Sequence, residues 1–109
     1  MTDLAALAKR FDTALLGYCA QNGFERDSDW VMLKLLEEVG ELTQVWNRLT
    51  GRGRPGAADR EALLHDLESE AADVLGMVLL LSHQHGMDLP AAIARKWRFD
   101  PSDGQAAAE

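Results

Sequence analysis

Between Ala58 and His85, apolar residues recur at Leu63, Leu67, Val74, Met77 and Leu81, and the one gap in that 4, 3, 4, 3, 4 spacing is filled by Glu70. This is the spacing of a helix that buries one stripe. The segment therefore dictates a long helix with a carboxylate in its packing seam. Such a group costs several kcal/mol to bury unless it is paired, protonated or metal-bound. Asp73 stands three residues on, on the same side. The basic residues Arg60 and Arg95 lie too far along the chain to neutralise the pair within the helix.

A second acidic group precedes it in "KLLEEVGELTQ" (Lys34–Gln44), where Glu37, Glu38 and Glu41 crowd together. Here Leu35, Val39, Leu42, Trp46 and Leu49 are spaced 4, 3, 4, 3, again a packing seam. At about 100° per residue, Glu37 points away from that seam. Glu38 and Glu41 fall at its edge, three apart on one face.

Around these two helices the chain is all-α. Helix one is expected from Asp3, its N-cap, to Gln21, before the Asn22-Gly23 stop. Helix two is expected from Ser28 or Asp29 to Gly51, and helix three from Ala58 to His85, ended by Gly86. Helix four follows Asp88, carries Pro90 in its first turn and fades near Phe99. "GRGRPGAA" (Gly51–Ala58) reads as a linker, and its shortness implies an antiparallel hairpin of helices two and three. Residues 1–99 are read as one domain and 100–109 as a disordered tail.

The charge narrows the function. Eighteen Asp and Glu against 11 Lys and Arg give a net −7, which disfavours nucleic acid polymers and anionic membranes as partners. The longest charge-free apolar run, "VLGMVLLLS" (Val74–Ser82), is too short to span a bilayer. Asp3, Lys9, Arg10 and Asp12 interrupt any signal-like start, so a cytoplasmic protein is expected. The single cysteine, Cys19, lies in a helical apolar pattern and reads as a buried free thiol.

In the hairpin, Glu38 and Glu41 can face Glu70 and Asp73. Four converging carboxylates repel one another without a cation. Oxygen-only ligands suit Mg²⁺ or Mn²⁺, whereas zinc prefers His and Cys. His65 stands alone, and His83 and His85, two apart, do not share a face; all three read as surface histidines.

"EEVGE" (Glu37–Glu41) followed by "EAAD" (Glu70–Asp73) resembles the E-E-x-x-E … E-x-x-D signature of the MazG-like, all-α nucleotide pyrophosphohydrolases. The resemblance extends from about Trp30 to Lys96, through "DVLGMVLLLSHQHGMDLPAAIARKW". It implies Mg²⁺-dependent hydrolysis of nucleoside triphosphates between the α and β phosphates, giving a monophosphate and pyrophosphate. Glu38, Glu41, Glu70 and Asp73 would then be the metal ligands. Catalysis would fall to Glu37 and Glu38, with Glu37 either supporting the ligands from behind or helping to activate the attacking water. A homodimer or homotetramer of bundled helices is implied as well, and a small core favours it.

Substrate contacts follow less directly. Lys34 lies one turn before Glu38, placed either for a phosphate or for an ion pair with Glu37 or Glu38. Arg52 and Arg54 sit in the linker, where closure over a triphosphate is conceivable. "ARKWRF" (Ala94–Phe99) stands where relatives carry a Lys and then an Asn: Lys96 matches, but Arg98, Phe99 and Asp100 replace the Asn. Among Phe11, Tyr18, Phe24, Trp30, Trp46 and Trp97, Trp30 is the best placed to wall a base pocket, being on the carboxylate side of helix two. Trp46 lies in the seam, as core or as dimer interface. Two other functions compete: phosphoribosyl-ATP pyrophosphohydrolase, with similar acidic motifs, and a non-catalytic helical dimerisation or regulatory module.

Overall fold

The computed structural model describes residues 3–22, 28–52 and 59–102. Their regular structure is helical: α1 (Leu4–Asn22), α2 (Ser28–Leu49), α3 (Arg60–His85) and α4 (Leu89–Trp97). Each helix follows local chemistry. Asp3 caps α1, its Oδ1 accepting from Ala5 N–H at 2.9 Å. Asp59 caps α3, accepting from Ala62 N–H at 2.8 Å, and Asp88 caps α4, accepting from Ala91 N–H at 3.0 Å. Both α2 and α3 are followed by a glycine at positive φ, Gly51 and Gly86, a conformation glycine adopts without a Cβ penalty. Beyond Gly86, Met87 N–H donates back to Ser82 O at 3.0 Å, closing the last turn of α3.

Two compact units are present, Met1–Glu25 with Leu79–Glu109, and Arg26–Val78. The first buries Ala8, Asp12, Leu15 and Cys19 of α1, a 4, 3, 4 stripe, together with Leu79, Leu80 and Ser82 of α3. Cys19 is a free, buried thiol. Asp12 is the polar member of the α1 stripe, and its Oδ2 lies 3.5 Å from Nε2 of His83. His83 is exposed, as its spacing suggested, and is a partner of a buried carboxylate as well; His65 and His85 are exposed too.

The second unit corrects the reading of α2. Val39 and Trp46, assigned to the packing seam, are 40 % and 47 % exposed, and Leu35, Leu42 and Leu49 are only half-buried. The buried residues are instead Val31, Glu38 and Val45, spaced by seven. Seven residues return a helix almost to the same angle, so this line is the helix's true inner edge. Glu38 lies at its centre, not at its boundary. On α3, Leu63 of the expected seam is buried and Leu67, Glu70, Val74, Met77 and Leu81 are half-buried, while the buried Leu79, Leu80 and Ser82 lie off it. No helix among the described residues is long and apolar enough to cross a membrane.

Candidate metal centre

α2 and α3 bring their carboxylates together. One oxygen each from Glu38, Glu70 and Asp73 lies within 4.8 Å of the others. The same holds for Glu37, Glu38 and Glu41. Glu38 is common to both groups and is only 7 % exposed. Glu41 and Glu70 are half-buried, and Glu37 and Asp73 are exposed. Glu37 is exposed, as its wheel position requires; of the four expected ligands, Glu38, Glu70 and Asp73 form one group, and Glu41 joins Glu38 in the other.

The electrostatics of the cluster are unfavourable as it stands. Burial, followed by the negative charges of Glu41 and Asp73, pushes the Glu38 carboxyl up from 4.5 to about 7. Burial likewise raises Glu70, with Glu41 and then Asp73 adding to it. Glu38 Oε2 and Glu70 Oε2 are buried and accept no hydrogen bond. Contacts of Glu41 with Glu38 and with Glu70 become hydrogen bonds only when one carboxyl carries a proton. With all three ionised, the two buried oxygens have no donor, an arrangement that proteins rarely leave uncompensated.

Among the described residues, Lys34 brings a cation to the cluster. Lys34 Nζ donates to Glu37 Oε1 at 2.9 Å and lies 3.9 Å from Glu38 Oε1. That hydrogen bond is the first cause of a lysine pKa raised above 10.5. The ion pair with Glu37 and Glu38 is therefore the arrangement Lys34 adopts here.

The donor set fits a hard divalent cation. It offers carboxylate oxygens alone, two of them buried without donors, and neither group contains the His or Cys that zinc favours. Trp30 is half-buried, one turn before Lys34 on α2. Lys96 and Trp97 are exposed on α4, in the unit that does not contain the carboxylates. Arg54 and Phe24 lie outside the described residues. What sequence reasoning missed at this site is the depth of Glu38, and the signal was available in the Val31, Glu38, Val45 spacing. Comparison with protein-family models, with curated proteins and with solved structures yields no match.

Proposed function

We propose that this chain is a divalent-cation-dependent nucleoside triphosphate pyrophosphohydrolase of the MazG-like kind. It would cleave (d)NTPs between the α and β phosphates to the monophosphate and pyrophosphate, in the control or cleaning of the nucleotide pool. The observation that carries the reading is the convergence of Glu38 with Glu70 and Asp73, with buried oxygens that have no donor. A Mg²⁺ or Mn²⁺ ion bound there supplies Lewis acidity to a phosphoryl oxygen and acidifies water.

The chain's own residues do the rest. Glu38, Glu41, Glu70 and Asp73 hold the cation. Glu37, exposed at the edge of the cluster, accepts the proton of the attacking water. Trp30 offers an aromatic wall for the base, and Lys34, Lys96 and Arg54 are the cations available to the triphosphate.

The same reading includes an antiparallel hairpin of α2 and α3, assembly into a homodimer or homotetramer, and a cytoplasmic location. Support for assembly comes from the row Met32, Leu36, Val39 and Trp46 on α2, large apolar side chains that are all exposed. Light scattering of the purified chain reports the assembly directly.

Product analysis tests the reaction. The chain is incubated with Mg²⁺ and each common NTP and dNTP, and with phosphoribosyl-ATP, and the products are separated by ion exchange. Monophosphate and pyrophosphate, absent from a Glu70→Gln control, are the expected result. Turnover of phosphoribosyl-ATP alone would favour the histidine-pathway hydrolase. A folded protein that turns over none of them would favour the non-catalytic helical module.

A further inference from the structure

We infer that Lys34 is a tethered counter-cation of the carboxylate centre, competing with the divalent cation for Glu38 and displaced when it binds. The inference rests on the cation reading given above and adds to it a residue that sets how tightly the cation is held. Three observations carry it. The ammonium of Lys34 is bonded to Glu37 Oε1 at 2.9 Å and reaches to 3.9 Å of Glu38 Oε1. Those two residues, with Glu41, form one of the two groups whose oxygens lie within 4.8 Å of one another. Glu38 keeps its second oxygen buried and without a donor, although the residue is 7 % exposed. Lys34 therefore satisfies the outer part of the cluster and leaves the inner part uncompensated.

A monovalent ammonium is an incomplete substitute for a divalent ion in such a place. It delivers one charge, from the solvent side, on a flexible four-carbon stem. A divalent ion held by Glu38 would face that ammonium as a like charge, and like charges repel. The lysine can leave at small cost because its pair with Glu37 is an exposed one. The coupling is reciprocal: whatever Lys34 gains from the carboxylates in the cation-free protein, the divalent ion must replace on binding. Neutralising Lys34 removes the competitor and tightens cation binding about two- to tenfold.

The test is titration of the full chain with Mn²⁺ alone, without nucleotide, following free Mn²⁺ by electron paramagnetic resonance. Wild type is compared with Lys34→Gln, Lys34→Met and Lys34→Arg, with circular dichroism confirming that each is helical; two neutral variants are used so that the comparison survives if one misfolds. The expected result is a lower Mn²⁺ Kd for both neutral variants, and for the arginine variant a Kd no lower than that of wild type. Neutral variants that bind Mn²⁺ as wild type does, or more weakly, would overturn the inference while leaving the cation site intact. A wild type that takes up no Mn²⁺ would overturn the cation reading itself, a separate result.

Discussion

Glu38 on α2 and Glu70 on α3 present carboxylate oxygens to a common point, within 4.8 Å, and each keeps an Oε2 that is buried and accepts no hydrogen bond. Each helix places its acid where its pattern calls for an apolar residue, between Val31 and Val45 on α2 and between Leu67 and Val74 on α3. Neither helix alone explains such a substitution. Together they define a place that wants positive charge.

Glu70→Gln should separate stability from function. The amide has the shape of the carboxyl and no charge, so the repulsion with Glu41 and Asp73 disappears. In chelator, the variant should melt no lower than wild type, measured by calorimetry above neutral pH. Under assay conditions it should lose triphosphate turnover by about 10²–10³-fold, the scale of removing charge stabilisation from a transition state. Wild-type turnover by the variant would remove Glu70 from the ligand set.

Glu38 makes the cation-free protein sensitive to pH in a defined direction. Its carboxyl is raised from 4.5 to about 7 in the fold. Between those values the folded chain holds a proton that the unfolded chain has lost, so stability falls as pH rises through the window. The contribution is fully present below 4.5 and gone above about 7. Glu70 shifts in the same direction. Thermal unfolding in chelator should give a lower Tm near pH 8 than near pH 6 (~ either side of the raised Glu38 value), and Mg²⁺ should remove most of the difference. A Tm that rises across this range in chelator would contradict the account.

Much of this was legible in the chain. The four helices, the cap at Asp3 and the place of Glu70 among the apolar residues of α3 follow from periodicity and from side chains that bond nearby N–H groups; Asp59 as the cap of α3 shows only in the structure. Glu38 was the harder residue, because α2 carries apolar residues on most of its circumference. Two stripes compete there, and sequence spacing favoured the one through Val39 and Trp46, which is exposed. Choosing between them takes knowledge of what the helix packs against. The Asp12–His83 pair was invisible for the same reason: the two residues are far apart in the chain, and only the fold brings them to 3.5 Å.

That pair is a test of the first unit by itself. Asp12 is 8 % exposed on the inner stripe of α1, where a carboxylate is costly without partners. A double-mutant cycle with Asp12→Asn and His83→Ala should give a coupling of about 0.5–2 kcal/mol, read from chemical denaturation near pH 6. A coupling indistinguishable from zero would make the contact incidental.

Two glycines should respond oppositely to alanine. Gly17 lies within α1, exposed, and a Cβ built there meets nothing within 4 Å. Gly17→Ala should stabilise by about 0.5–1 kcal/mol, because helical glycine is entropically costly. Gly86 has φ +60°, and a side chain there is strained even though space is open. Gly86→Ala should destabilise by about 1–2 kcal/mol. Melting temperatures of the two variants, measured side by side, check both signs.

The most direct test of the central claim, that the Glu38–Glu70 cluster is completed by a hard divalent cation, is thermal unfolding of wild type and Glu38→Gln with and without Mg²⁺. At pH 7.5 (~ above the raised Glu38 value), Mg²⁺ at about ten times its Kd should stabilise wild type by about 1.4 kcal/mol, or roughly 5 °C in Tm. Glu38→Gln should show little of that shift. A wild-type shift under about 1 °C at millimolar Mg²⁺, or an equal shift in the variant, would contradict the assignment.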